Sequence, residues 1–332
     1  MISEVKNDNF KVSAILVTYN PDMEILRAAV QAIFPQVADV IVVDNASANF
    51  STDWSDNLIG KAHDKLQVLP QQENLGIAVA QNIAIEQAIK SDADFVFLLD
   101  QDSVSTPSLV SELLAVITSI EFKSSAYPIA AVGPTIVDRR TGKSYYFMAD
   151  RNGFPHKSLP EIISKQSLQP IDVSVLVASG SLISIKALKD IGAMRSNYFI
   201  NHVDTEWCLR AKAKGYRLLG VPVAKLEHQF GDIIKQVWFL GFRQVIYHSP
   251  LRNYYDIRNT LLMLHDTVMP WPWRLHFIGR ILRLGYFMLF AEQRWLRFSL
   301  ISLGLVHGML RVSGCLEAKT GRCRHLPVSY VK

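Results

Sequence analysis

Four short apolar runs, Val12–Thr18, Val40–Asp44, Leu66–Leu69 and Phe95–Leu99, recur through the first hundred residues, separated by longer stretches of mixed polarity. Two of those stretches, Asp22–Phe34 and Ile77–Lys90, carry their apolar residues at helical period, as in Ile77, Ala80, Ala84 and Ala88. Short runs rich in Val, Ile and Leu read as strands buried on both faces, and helical crossovers between them force the strands to run parallel. The spacing therefore predicts an α/β fold on a mostly parallel sheet. Ligands of such sheets sit beyond the carboxyl ends of the strands.

Those ends are polar in this chain. The first run leads into Thr18-Tyr19-Asn20-Pro21, the second ends in Asp44-Asn45-Ala46-Ser47, the third leads to Asn74-Leu75-Gly76, and the fourth ends in Asp100-Gln101-Asp102-Ser103. Each group by itself would serve as a turn or a helix cap. Together, on consecutive strands, they predict one binding edge. Asp100 and Asp102 stand two residues apart as the chain leaves a strand, so both can face one pocket. Two anions so placed favour a hard divalent cation shared with substrate phosphates; a helix cap, the alternative, needs only one of them.

Further along, the expected elements are a strand near Ile129–Ile136, a hairpin through Asp138–Phe147, a loop over Thr141–Pro160, an apolar strand Val173–Ala178, the turn Ser179-Gly180-Ser181 and a strand Leu182–Ile185. Polar clusters follow at Asn201–Arg210 and Glu227–Asp232. With 332 residues the chain suits a catalytic unit over 1–235, halved at about 12–105 and 125–235, and a C-terminal region over 236–332.

The segments VSAILVTYNP, IVVDNAS, ENLGIAVAQN, FVFLLDQDS and HVDTEWCLRAKAKGYRL resemble, in that order and spacing, the motifs of inverting family-2 glycosyltransferases. The DQDS form and RNYYDIRN are most similar to bacterial rhamnosyltransferases of surface polysaccharide (O-antigen or cell-wall) synthesis. The resemblance spans roughly residues 12–260. It implies the nucleotide-sugar-binding glycosyltransferase A-type fold, a Rossmann-like mixed sheet. It also implies L-rhamnose transfer from dTDP-L-rhamnose to a lipid-linked oligosaccharide, with another nucleotide sugar as the alternative donor. Thr18, Tyr19 and Asn20 would meet the nucleoside, Asp44 would hydrogen-bond the base, and Asn74, Gly76 and Asn82 fall in the segment where the backbone approaches the nucleotide. Asp100, Gln101 and Asp102 match the metal motif, and His228 the imidazole that completes the sphere of a Mn²⁺ or Mg²⁺ ion. Asp204 matches the general base, with Glu206 as runner-up; His202 replaces the more usual Glu. Arg252 and Arg258 would bind a diphosphate, or else form a solvated basic face.

Charge divides the chain. Residues 1–230 carry 21 Lys and Arg against 25 Asp and Glu, whereas residues 231–332 carry 14 against 5. That basic portion holds four of the six tryptophans, which points to an anionic membrane surface rather than nucleic acid. The longest stretch there without Asp, Glu, Lys or Arg, Phe298–Leu310, has 13 residues, short of the roughly 20 needed to span a bilayer. An interfacial helical region is expected, with arginines 274, 280, 283, 294, 297 and 311 toward lipid phosphates; packing as an appendage or in a homo-oligomer is the alternative. Three cysteines, too few for a disulfide framework, and a polar start lacking a signal-peptide pattern lead to the expectation of a peripheral position at the cytoplasmic face of the inner membrane.

Overall fold

The computed structural model describes residues 10–316 except 52, 60–63, 120–126, 161–168, 229–232, 239–241 and 289. Strands β1 (Val12–Thr18), β2 (Asp39–Asp44), β3 (Leu66–Pro70) and β4 (Phe95–Asp100) are mutually parallel in the order β3-β2-β1-β4. Helices α1 (Met23–Ile33), α2 (Trp54–Ile59) and α3 (Ile77–Lys90) connect them. Asp22 caps α1 by accepting from the amides of Glu24 (2.9 Å) and Ile25 (3.2 Å). The register sets Thr18 opposite Asp44 and Val17 opposite Asp100, so the polar ends lie flush along one edge.

Strand alternation divides the core into two layers. Ile15, Ile41, Val96 and Leu98 pack with Ala80, Ala84 and Ala88 of α3 on one face. Leu16, Val42, Phe97 and Leu99 pack with Leu26, Val30 and Ile33 of α1 on the other.

The second half completes the sheet through β5 (Val104–Ser105), α4 (Leu109–Thr118), β6 (Ile129–Asp138), β7 (Phe147–Arg151), β8 (Phe154–Ser158), β9 (Ile171–Val173), β10 (Leu182–Ser184), α5 (Ile185–Ile191), α6 (Val203–Ala213) and β11 (Arg217–His228). Strand β10 runs antiparallel between β4 and β6, and β11 lies parallel to β6, making the sheet mixed but mostly parallel.

The expected hairpin through Asp138–Phe147 is present in short form: Val137 and Ser144 make an antiparallel bridge, flanked by bonds from the Asp138 amide to the Lys143 carbonyl (2.9 Å) and from the Tyr145 amide to the Ile136 carbonyl (2.8 Å). Two other expectations need correction here. A second, full hairpin, β7–β8, occupies what was read as loop. Its turn is Asn152-Gly153, both at positive φ (54° and 84°), a dipeptide suited to two-residue hairpins. Charged flanks such as Asp150, Arg151 and Lys157 hid the alternation that normally accompanies that signal. The strand expected over Val173–Ala178 ends at Val173. Beyond it the backbone donors are taken elsewhere: Leu176 N by the Cys208 sulfur (3.4 Å) and Ala178 N by Asp204 Oδ2 (3.2 Å).

At the C-terminal side come the hairpin β12 (Ile233–Trp238)–β13 (Phe242–Tyr247) and helices α7 (Pro250–Asp266), α8 (Trp271–Met288) and α9 (Arg294–Met309). No helix of the described residues is long and apolar enough to cross a membrane. Leu262 and Met263 of α7 and Trp273 and Phe277 of α8 enter the same core layer as α3. Helix α9 lies close against α7 because Gly304 and Gly308 present no side chain: a Cβ at Gly308 would stand 2.6 Å from Leu261 Cβ and 3.1 Å from the Arg258 carbonyl. Gly308→Leu is accordingly expected to cost about 1–3 kcal/mol in chemical denaturation through overpacking. Gly279→Ala, on α8 with open space around it, should be neutral or gain up to about 1 kcal/mol from helix propensity.

Candidate active site

Strand β4 delivers Asp100 at its end and the following turn delivers Asp102; β11, three strands away in the sheet, delivers His228 at its own end. Ligand atoms of the three lie within 4.8 Å of one another. His228 Nδ1 stands 3.3 Å from Asp102 Oδ1 and 2.8 Å from Ser103 Oγ, while Nε2 faces Asp100 Oδ2 at 3.9 Å. Ser103 Oγ in turn meets Ser179 Oγ (2.9 Å), which accepts from the Asp100 amide (3.0 Å). This chain of hydroxyls fixes the imidazole plane as supporting groups do at metal sites. Two carboxylates and one imidazole suit a divalent cation such as Mn²⁺ or Mg²⁺.

The electrostatics agree with that donor set. Desolvation in the pocket, His228 and Arg252 opposing and Asp102 and Asp204 adding to it, pushes the Asp100 carboxyl up to about 6. Burial alone would lower the His228 pKa, but Asp102 and Asp100 hold it above its ordinary value. Burial, with two neighbouring carboxylates adding to it, makes the charged form of Asp100 costly in the absence of a further positive charge.

Asp204, in the first turn of α6, lies near enough for its charge to be felt at Asp100. Its Oδ1 accepts from the Thr205 amide (2.6 Å) and its Oδ2 from the Ala178 amide (3.2 Å), fixing the carboxylate at a helix N-terminus. Arg252 on α7 is felt at Asp100, donates to Asn201 Oδ1 (3.2 Å), and has its Nε without a hydrogen-bond partner among the described residues. Beside Ser179 opens a cavity of about 300 Å³ lined by Tyr145, Tyr146, Met148, Val175 and Val177.

Along the edge, Asp44 is buried. Thr18 Oγ1 (3.0 Å) and Ser47 Oγ (2.5 Å) donate to its Oδ1, and the Ser47 amide to its Oδ2 (3.0 Å). Asp44 therefore ties together the strand ends of β1 and β2. Tyr19 N donates to Gln101 Oε1 (2.8 Å), Asn20 N to Ser47 Oγ (2.8 Å), and Asn45 Nδ2 to Asn74 Oδ1 (2.8 Å).

The Glycosyl transferase family 2 profile matches residues 13–192. A dTDP-rhamnosyl transferase, RfbF of Shigella flexneri, is 32% identical over 265 residues, covering 79% of this chain and 82% of its own. The chain belongs to glycosyltransferase family 2. The low-salt glycan biosynthesis hexosyltransferase Agl10 of Haloferax volcanii is 24% identical over 76% of this chain and 74% of its own. In fold, this glycosyltransferase resembles the mannosyltransferase PcManGT of Pyrobaculum calidifontis in complex with GDP-Man and Mn²⁺ (TM-score 0.52, 14% identity, 94% of this chain and 78% of that one). GalNAc-T7 with UDP, GalNAc and Mn²⁺ superposes with a TM-score of 0.53 at 15% identity, over 68% of this chain and 45% of that one, so this chain spans under half of its length.

Several residues expected at the site do other work in this glycosyltransferase. Asn82 clamps the 194–196 segment to α3, donating to the Met194 carbonyl (2.8 Å) and accepting from its amide (2.9 Å). Gly76, at φ 82°, admits a close approach of Phe199: a Cβ would lie 2.5 Å from the Phe199 carbonyl oxygen, which accepts from the Ile77 amide at 2.8 Å. Arg258 is neither a diphosphate ligand nor part of a solvated face. It is 1% exposed, lies over the rings of Tyr254 and Tyr255, and bonds Asn259 Oδ1 and the Gly314 carbonyl. Glu206, fully buried, is held by Arg195 (2.7 Å), Arg210 (3.0 Å) and Thr267 (3.2 Å), which removes it as an alternative base. His202 is locked inside by Asp256 (2.9 Å) and Thr260 (3.0 Å). Ser103, Ser47 and Asn45 belong to the polar strand ends visible in the sequence, but their supporting bonds to His228, Asp44 and Asn74 appear only in the structure.

Cation affinity, followed by Mn²⁺ electron paramagnetic resonance, should weaken as pH falls through about 6, because Asp100 must lose its proton to ligate; Asp102→Ala should abolish it. Glu206→Gln is expected to cost about 2 kcal/mol in urea denaturation by removing the buried anion that Arg195 and Arg210 share, less than for a fully buried pair because both arginines keep some solvent and other partners. Asp204→Asn should leave that denaturation curve unchanged.

Proposed function

We propose that this glycosyltransferase moves L-rhamnose from dTDP-L-rhamnose to a hydroxyl of a lipid-linked oligosaccharide in bacterial surface polysaccharide synthesis, with inversion at the anomeric carbon. The observation that carries the reading is the meeting of Asp100, Asp102, His228, Arg252 and Asp204 in one pocket, in a chain 32% identical to a dTDP-rhamnosyl transferase along most of its length.

In this reading the strand-end loops seat the nucleoside, and Arg252 takes diphosphate oxygens through the guanidinium edge that its Asn201 bond leaves available. A divalent cation held by Asp100, Asp102 and His228 would neutralise charge developing on the leaving diphosphate. Asp204 accepts the proton of the attacking hydroxyl, and its two backbone donors aim the carboxylate. A single displacement assisted by one base inverts the configuration. The cavity beside Ser179 suits the acceptor: Tyr145 and Tyr146 are among its lining residues, and the 175–179 segment that forms one wall also supplies the Ala178 amide to Asp204.

The test is nucleoside diphosphate release from a panel of dTDP-, UDP- and GDP-sugars. Turnover is expected with dTDP-L-rhamnose, lost in excess EDTA and lowered ~10²–10⁴-fold by Asp204→Asn, as for other general bases. Turnover with UDP- or GDP-hexoses alone would replace rhamnose by a hexose, the chemistry carried in the name of the Haloferax relative.

A further inference from the structure

Helix α8 buries Trp273 and Phe277 in the core layer it shares with α3 and Met288 against Ile257 of α7 and Ile301 of α9, yet leaves a second apolar stripe bare. Trp271, Leu275, Ile278 and Leu282 are spaced four, three and four residues apart, which puts them on one face, and their exposure runs from 45% (Ile278) to 70% (Leu282). Helix α9 repeats the pattern. Trp295, 75% exposed, shares its outward side with Phe298, Val306 and Met309, all exposed, while Ile301, Gly304 and Gly308 face inward. At the tip of the β12–β13 hairpin Trp238 is also exposed, and its carbonyl accepts from Tyr286 of α8 (3.2 Å). Apolar surface of this extent is not left to water in soluble monomers without a function.

Charge selects the occupant. Between Trp271 and Leu316 there are six arginines and one acidic residue, Glu292. Two of the arginines are engaged within the protein. Arg297 is buried, donating to the His248 carbonyl (2.7 Å) and Asn253 Oδ1 (2.5 Å), and Arg280, although partly exposed, pairs with Asp256 (2.8 Å). Arg274 and Arg283 remain exposed on opposite flanks of the α8 stripe, and Arg294 and Arg311 at the two ends of α9. A twofold copy would bring these arginines against one another with little acid between them. A bilayer surface with anionic headgroups gives every one of them a phosphate while the stripes and tryptophans enter the headgroup and acyl boundary.

We propose that the outer faces of α8 and α9, together with Trp238, form a docking face for an anionic lipid surface, on which the enzyme lies without crossing it. The face leads toward the acceptor cavity. Trp271 packs edge-on against Phe154 of the β7–β8 hairpin (5.6 Å), Trp273 Nε1 reaches Asp150 Oδ2 (3.4 Å), and the first strand of that hairpin lines the cavity through Phe147 and Met148. Docking itself is independent of the reaction; its use in confining enzyme and lipid-linked acceptor to one plane rests on the function proposed above.

The experiment is flotation of the full chain with vesicles of phosphatidylethanolamine and phosphatidylglycerol, or of phosphatidylcholine alone, over a salt series. Light scattering gives the oligomeric state alongside. The wild type is expected to float with the anionic vesicles and to be released by salt. The combined Leu275→Ser, Ile278→Ser, Leu282→Ser variant should lower flotation about ten-fold or more at any salt, and Arg274→Glu with Arg283→Glu should remove the preference for anionic lipid. Both variants should retain circular dichroism and donor hydrolysis in the absence of acceptor. Recovery of the wild type in the soluble fraction with anionic vesicles would overturn the proposal, as would a wild-type dimer that the serine variant dissociates without any loss of flotation. Failure of the donor panel with flotation intact would count against rhamnosyl transfer and leave the docking face standing.

Discussion

Three carboxylates, Asp100, Asp102 and Asp204, lie close together, and the cost of holding charge there, burial first and mutual repulsion second, is the constraint around which the rest is arranged. His228 and Arg252 offset part of it, yet Asp100 still sits at about 6. Elsewhere the interior pairs its charges: Glu206 with Arg195 and Arg210, Asp256 with His202 and Arg280. Although burial alone would raise it, Asp256 is held well below the usual carboxylate range by Arg280 and His202. A fold that neutralises its buried carboxylates except at one edge concentrates unbalanced charge where a cation and a diphosphate are to be handled.

The same internal pairs carry the C-terminal helices into the site. Asn201 and His202 adopt left-handed backbone (φ 67° and 62°) just before α6, a conformation costly for residues other than glycine. Helix α7 holds it there: Asn259 donates to the carbonyls of Ile200 (2.7 Å) and Asn201 (3.0 Å), and Thr260 and Asp256 grip the His202 ring. Asp204 lies two residues on. The position of the proposed base thus depends on α7, which Arg280 of α8 and the glycines of α9 fasten in turn. The segment RNYYDIRN acts mainly as this fastening: Tyr254, Tyr255, Asp256, Arg258 and Asn259 are all buried, and of its arginines only Arg252 faces the pocket side.

The sequence by itself determined the parallel half of the sheet, the polar edge at its strand ends, and the grouping of Asp100 with Asp102, because strand and helix periodicities are local and a binding edge follows from them. It also determined that α8 and α9 could be amphipathic. The motif resemblance also pointed to His228 and to Asp204 ahead of Glu206; the tertiary structure supplied the geometry, with β11 bringing His228 to the acidic pair and Arg195 and Arg210 holding Glu206 inside the protein. Only the tertiary structure decided that Gly76 is required by Phe199. It likewise decided which arginines turn inward: Arg258 and Arg297 into the protein, Arg252 toward the pocket. Each of these depends on a partner more than ten residues away in the chain. The burial that turns a charged side chain into a lock or leaves it as a ligand is set by those distant neighbours, not by its own segment.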